Sequence, residues 1–543
     1  MNTRHSAPSR LFIPRIRPAV IGSLLLSAIA AHAASETWTR TTTGGNWSDT
    51  ANWLSGTGYA NGIDAIATFS ATGTQTVNLD TNVTLGSLAF SNGTYTIASS
   101  NGSVLTLETS TSTAPNISST GTISATIAGM QGFTMNPGGN RTLTLSGNNT
   151  YTGVTTLANG NLTVRSNNAL GGVGIGNGTV VSQSSGQFPQ LHFANNVTTS
   201  EDITLNMNWF NTTAGATVGG NLIYNDSGTT TLNGTITLNR SAASNANAIH
   251  LMGIQSGAGT LNIAGAISGM ATGGQASGTY VDPTRLQFRT TAATANINVT
   301  GSISNGTLTT GGLSVYTTNN SSGMVRLSGA NTYTGSTVHQ LGTLLINNST
   351  GSGTGTGAVS VASTAVFGGT GIVKPEGTSG VTFASGALVA PGDLTDSGSA
   401  IAAGATLTFD LGSTTGSAVF NSGSVIAINL NAIAATVAES LAFIGLTNGQ
   451  TQVAFNNNIV NFSITGGLLA DGLYTIASFS ADTAYTGQWV LGTGLEAYES
   501  ARLIHHANSI QLAIGAIPEP ATCASLAGLV VIGAALARKR RRF

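Results

Sequence analysis

The chain has 543 residues, of which 40 % are apolar and only 7 % charged, with a formal net charge of −1. Ordinary globular domains carry about 25 % charged residues, so this chain keeps its solubility with hydroxyl and amide groups. Its regular β-branched runs exclude the charge-rich, apolar-poor signature of disorder, and its one cysteine, Cys523, excludes a disulfide framework.

At the amino end, Arg4, Arg10, Arg15 and Arg17 precede or flank the start of an apolar run over residues 19–31, and Ala31-His32-Ala33 supplies a small-x-small cleavage site. This is the build of a secretory signal peptide over residues 1–34, cut by signal peptidase beside Ala31 and Ala33, so the mature chain is expected to start near Ala34 or Ser35. Between Ser35 and Ala516, nine basic residues stand against eighteen acidic ones. A mildly acidic exported region argues against a nucleic-acid partner.

Residues 35–140 are expected to form an amino-terminal cap and the first coils of a solenoid. Trp47 and Trp53, six residues apart in Gly44-Gly45-Asn46-Trp47-Ser48-Asp49-Thr50-Ala51-Asn52-Trp53, are suited to plug the end of a β-solenoid and cover its apolar core. A carbohydrate-stacking platform is the alternative use. Strand signals then recur as short period-2 runs behind a glycine, at Gly160-Asn161-Leu162-Thr163-Val164, Gly234-Thr235-Ile236-Thr237-Leu238, Gly259-Thr260-Leu261-Asn262-Ile263 and Gly342-Thr343-Leu344-Leu345-Ile346. Each reads as a turn followed by a strand with one apolar face.

A longer repeat lies within residues 141–390. Leu145-Ser146-Gly147-Asn148-Asn149-Thr150-Tyr151-Thr152-Gly153-Val154-Thr155-Thr156 matches Leu327-Ser328-Gly329-Ala330-Asn331-Thr332-Tyr333-Thr334-Gly335-Ser336-Thr337-Val338 at nine of twelve positions. Repeated turn-plus-strand units point to a solenoid whose coils share a core. The two segments resemble the autotransporter-associated β-strand repeat, with clear copies over residues 143–172 and 325–373. Phe367-Gly368-Gly369-Thr370-Gly371, Leu388-Val389-Ala390-Pro391-Gly392-Asp393 and the Trp47/Trp53 opening resemble the surroundings of that repeat. The resemblance implies an all-β fold, a right-handed parallel β-helix, and a place at the bacterial surface or exterior. At roughly 20 to 25 residues per coil and about 4.8 Å between coils, the rod is expected to be on the order of 100 Å long.

Residues 391–516 read as a carboxyl-terminal β region. Pro391-Gly392-Asp393 and the Gly/Ser/Asp-rich residues 392–399 suggest a joint, and the Ala-rich residues 431–443 leave room for a short helix. Residues 517–543 have three parts: Pro518-Glu519-Pro520, an uncharged apolar run over residues 521–537, and Arg538-Lys539-Arg540-Arg541-Arg542 before Phe543. The apolar run is long enough, at about 25 Å as a helix, to cross a bilayer, and the basic stop is expected to stay cytoplasmic. The order of parts resembles the PEP-CTERM sorting signal, with an ordinary single-pass anchor as the alternative. That resemblance implies an exosortase partner and a passing inner-membrane stage. Autotransporters end in a translocator barrel, and no barrel-strand pattern precedes Phe543, so the expected export route is the general pathway followed by exosortase sorting.

Chemistry is sparse. Glu201 and Asp202 are adjacent, so on a strand they point to opposite faces. Asp282 begins a turn into a strand on which Arg285 and Arg289 share a face, and an ion pair or solvated turn is the preferred reading over a glycan-active site. His505 and His506 diverge as strand neighbours, and His192, His250 and His339 lack ligand spacing. The loop Gly171-Gly172-Val173-Gly174-Ile175-Gly176-Asn177-Gly178 lacks the aspartate of a calcium-binding nonapeptide. Asn-x-Ser/Thr triplets, as at Asn82, Asn92, Asn101, Asn233 and Asn305, are mostly what chance gives in a chain this rich in Asn and Thr and do not by themselves indicate glycosylation; ladders of Asn and Thr at repeated coil positions along the rod are the expected physical use. No catalytic residue, metal ligand or cofactor is expected. The sequence therefore points to a non-enzymatic structural or adhesive surface protein associated with extracellular polysaccharide or biofilm matrix. The alternatives are a β-helical polysaccharide-degrading enzyme and a glycan-binding module.

Overall fold

A computed structural model of the protein describes residues 34–515, apart from residues 119, 184–186, 208–216, 242–248, 273–283, 309–311, 320–322, 393–404, 433–437, 448–449 and 482–484. The expected signal-peptide residues Ala31 and Ala33, the motif Pro518, Glu519 and Pro520, the apolar run after it, and the basic stop Arg538 to Arg542 lie outside the described residues, as does Asp282.

The chain alternates apolar and hydroxyl or amide residues over runs of two to nine, and each run becomes a strand. Successive strands are dealt in rotation to three parallel ladders. The first has eleven strands from Glu36–Trp38 to Ile303–Ser304, and the second has seventeen from Gly44–Asn46 to Tyr485–Thr486. The third starts with Val83–Leu85, Val104–Leu107 and Thr126–Ala128, stops, and resumes for eleven strands from Thr198–Thr199 to Trp489–Leu491. From Ile372–Val373 a further sheet takes the first ladder's place in the rotation, and it ends in antiparallel pairing among Gly472–Phe479, Ser509–Ile514 and Arg502–His505. This is the connectivity of a parallel β-helix. Among the described residues, helix is limited to the 3-10 turn Thr50–Asn52.

Inward residues stack in columns. Leu143, Leu162, Leu191, Ile223, Ile254 and Phe288 follow one another in register on the second ladder, all fully buried, and each such side chain contributes about 1.5–3 kcal/mol by leaving water. Outward positions bond along the rod instead. Asn262 donates to Thr231 Oγ1 (3.4 Å), Asn298 to Asn262 Oδ1 (3.0 Å) and Arg326 to Asn298 Oδ1 (2.8 Å) on successive coils. These are amide and hydroxyl ladders of the expected kind.

Coil length, rod length and the joint differ from expectation. One coil of the second ladder spans only Thr142 to Asn161, but others run from Leu191 to Ile223 and from Val381 to Ala418, so many coils exceed the expected length. Seventeen rungs at about 4.8 Å give a rod of roughly 75–80 Å, shorter than expected. The Ala-rich residues 431–443 are strand at both described ends, Val425–Asn431 and Ser440–Ile444, where Leu441 and Phe443 alternate into the core, and residues 433–437 between them lie outside the described residues. The region of the suspected joint is crossed by the ladders, with Phe383 paired to Phe420 and Val389 to Ile426.

The two repeat copies occupy the places where a ladder is interrupted. In the first copy the chain leaves the second ladder at Leu145, skips the third face and enters the first ladder at Val154–Leu157. Asn149 fills the gap: its Oδ1 accepts from Ile127 N (2.8 Å), in the last strand before the break, and its Nδ2 donates to Ala169 O (2.6 Å) one coil on. In the second copy the chain leaves the third ladder at Leu327, skips the first face and enters the second ladder at Thr337–Leu341. There Asn331 accepts from Ile303 N (2.8 Å) and donates to Gly353 O (2.6 Å). A side-chain amide offers both donor and acceptor like a peptide group, so each asparagine stands in for a missing strand and closes the edge below it. Tyr151 and Tyr333, both buried, share hydrogen bonds with Thr155 (2.7 Å) and Thr337 (2.6 Å).

At the amino end, Trp38, Trp47 and Trp53 pack edge-to-face around Phe69, with centroids 5.2 Å (Trp38 to Trp53) and 5.0 Å (Trp47 to Trp53) apart. Their indole N–H groups donate to Gln75 Oε1, Ala60 O and Trp47 O. All three are buried, so Trp47 and Trp53 offer no ring face to a sugar, and the platform alternative fails. Toward the other end Phe409, Phe443 and Phe479 stack at 5.2 Å spacing.

Candidate functional surface

The second ladder is widest in its middle. Thr217–Asn225, Ile249–Ser256 and Thr284–Thr290 are its long strands, flanked by Gln190–Phe193 and Leu313–Thr318. Alternation sends Leu286 and Phe288 into the core and Arg285, Gln287 and Arg289 outward. Arg285 and Arg289 thus share a face, as the sequence suggests. The register lines up His192, Tyr224, Gln255 and Arg289 in one outward column, and Gly253, Gln287 and Tyr316 in another.

These groups form a bonded sheet of planar side chains. The His192 and Tyr224 rings stack at 4.4 Å and 5°. His192 Nδ1 lies 2.9 Å from Asp226 Oδ1 and its Nε2 lies 3.1 Å from Gln190 Oε1, while Gln190 Nε2 donates to Tyr224 Oη (3.1 Å). Asn221 donates to Gln255 Oε1 (2.7 Å) and Gln287 to Thr318 Oγ1 (2.9 Å). The Arg285 guanidinium sits over the Tyr316 ring at 4.6 Å, a cation–π contact. Burial pushes the Tyr224 phenol above its usual value, so it stays a neutral hydroxyl. Beside Arg289 a surface groove of about 380 Å³ is lined by Gln287, Thr318, Asn319 and Leu341.

Glu201 and Asp202 diverge as expected. Glu201 is buried and accepts from Thr179 Oγ1 (2.8 Å), whereas Asp202 is exposed and accepts from Thr235 N and Oγ1, each at 2.8 Å. Burial pushes the Glu201 carboxyl up to about 7. Sequence reasoning missed Glu439, which is buried, accepts from Asn429 N (3.0 Å) and Nδ2 (2.7 Å), and is likewise pushed up to about 7 by burial. The two lie eight rungs apart, on the order of 40 Å. Glycosidic hydrolysis needs its carboxyls within about 5–9.5 Å, so they are no acid/base pair.

His339 is buried with Nδ1 2.6 Å from Thr317 Oγ1 and Nε2 near Gly342 O (3.0 Å) and Val366 O (2.9 Å), and burial lowers it to about 4. His505 accepts from Trp489 N (3.1 Å) and His506 bonds Ser509 through its backbone, so the pair diverges. His250 lies on Ile249–Ser256. Among the described residues no group of three or more His, Cys, Asp or Glu stands together as a metal site. Residues 171–177 form a loop between coils, with Ile175 exposed, and Gly178 opens the strand Gly178–Gln183. Asn82, Asn101 and Asn305 accept backbone N–H groups at turns. No signal in the sequence marks His192, Tyr224 and Gln255 as neighbours of Arg289, since the four lie on four different coils.

No family model matches the chain. A stretch of 127 residues, 23 % of the chain, is 35 % identical to the adhesin BmaC autotransporter of Brucella suis biovar 1, and it covers only 4 % of that protein's length.

Proposed function

We propose that the protein is an exported, non-enzymatic β-helical rod that works at the bacterial cell surface as a structural or adhesive element. Its helix is right-handed, as parallel crossover connections almost always are. The carrying observation is the outward face of the second ladder, a long hydrogen-bonded polar surface that among the described residues holds no pair of carboxyls at catalytic spacing. Partial similarity to an adhesin points the same way. In this reading the signal peptide directs export, and an exosortase recognises Pro518-Glu519-Pro520 with the apolar run and Arg538 to Arg542, after a passing stay in the inner membrane.

Intact mass and fractionation of the protein from its own host test this. A surface or matrix species starting near Ala34 and ending near Pro518 to Pro520 is expected. A full-length species held in the inner membrane, still carrying Arg538 to Phe543, would overturn the sorting route, and specific glycan cleavage by the purified protein would overturn the non-enzymatic role.

A further inference from the structure

We infer that the outward face of the second ladder between Gln190 and Thr318, with the groove beside Arg289, binds an anionic polysaccharide, a polymer of carboxylate-bearing sugar rings laid along the rod. The inference rests on the surface-rod reading and names its ligand.

Charge is the first warrant. Arg285 and Arg289 make no ion pair among the described residues, while Asp226, a carboxylate on this face, is engaged by His192. In an exported region with twice as many acids as bases, two guanidinium groups on one strand face, without an ion-pair partner among the described residues, concentrate positive charge there. Guanidinium groups match carboxylates by bidentate hydrogen bonding.

Shape is the second. Tyr316 and Tyr224 lie half-buried on the face with their rings held by Arg285 and His192, so planar surfaces are fixed before any ligand arrives. Rungs recur at about 4.8 Å, the scale of one sugar ring, and the amides of Gln190, Asn221, Gln255 and Gln287 fall on successive coils to meet successive hydroxyls.

A third observation comes from the groove wall. Asn319 is 2 % exposed and uses Nδ2 to reach Thr343 O (2.9 Å), yet its Oδ1 is buried without a partner, as is Nε of Arg285. Buried polar groups are nearly always bonded. A sugar hydroxyl is the donor that Asn319 lacks, and a carboxylate is the acceptor that Arg285 lacks.

The test applies full-length protein to immobilised polygalacturonate, with dextran as a neutral polymer and double-stranded DNA as a polyanion that is not a polysaccharide. Retention on polygalacturonate that falls steeply with salt and absence of retention on dextran and DNA are expected. Arg289→Ala and Arg285→Ala should each weaken it at least tenfold, and Arg502→Ala at the far end should leave it unchanged. Arg289 is exposed, so its removal leaves the fold intact. Failure of the unaltered protein to bind polygalacturonate, equal retention on dextran or DNA, or undiminished binding by the double Arg285→Ala/Arg289→Ala variant overturns the inference. Correct surface placement without polygalacturonate binding overturns this inference alone, whereas binding by a protein held inside the cell overturns the surface reading alone.

Discussion

The two repeat copies share nine of twelve residues and make the same internal bonds, yet they sit on different faces of the rod. The first bridges a break in the third ladder and the second a break in the first ladder. The motif is therefore a portable device for skipping one face, indifferent to which face is skipped. What it brings with it is local: an asparagine amide that seals a strand edge, a buried tyrosine bonded to a nearby threonine, and a glycine against the coil below. What surrounds each copy differs, with buried Glu201 near the first and buried His339 on the strand of the second.

The largest expected effect breaks the seal. Asn149→Ala or Asn331→Ala leaves two buried backbone groups without partners and should cost about 2–4 kcal/mol. In hydrogen exchange, the amide of Ile127 should lose protection in the first variant and that of Ile303 in the second. Equal losses would support one device on two faces, and loss at one copy only would break the comparison.

The surroundings should separate the copies by pH. Glu201 is raised in the folded state to about 7 from an ordinary value near 4.5, so its stabilising contribution is full below pH 4.5 and is lost as pH rises through about 7, by up to about 3 kcal/mol. His339 is lowered to about 4 from 6.5. It remains neutral in the fold, and its contribution is full above pH 6.5 and is lost as pH falls through about 4. Local exchange, corrected for intrinsic rate, should show the first copy loosening toward alkaline pH and the second toward acid. Glu201→Gln should flatten the first profile, and the same slope in both copies would refute the assignment.

Smaller effects test the shared packing. A Cβ at Gly147 or Gly329 would run into the carbonyl of Ala125 or Gly301 on the preceding coil, so Gly147→Ala and Gly329→Ala should each cost about 1–3 kcal/mol in urea unfolding. Tyr151→Phe and Tyr333→Phe remove one buried hydrogen bond each and should cost about 1 kcal/mol, alike at both copies.

Much of the fold was legible because its signals are local. Alternation in Gly160-Asn161-Leu162-Thr163-Val164 and its kin marks strands with one buried face, and Leu162 and Val164 do point inward. The repeat, the divergence of Glu201 from Asp202 and the shared face of Arg285 and Arg289 follow from the same two-residue period. The candidate surface was not legible. His192, Tyr224, Gln255 and Arg289 are each joined to the next by a full coil of chain, and no local pattern announces how long a coil will be. Buried Glu439 was missed for a related reason: its partner Asn429 lies ten residues away on the preceding strand.

The sequence by itself determined the β class, the position of each glycine-led strand and the presence of the repeat, because side-chain alternation and turn chemistry act between near neighbours. Only the tertiary structure decided which residues stand one above another, the length of the rod and the face each repeat copy skips. The coil from Val381 to Ala418 is far longer than the coil from Thr142 to Asn161, yet both close on the same ladder. Register is then set by the stacking of Leu143, Leu162, Leu191, Ile223, Ile254 and Phe288 in one dry column, a constraint that exists only once the coils are piled together.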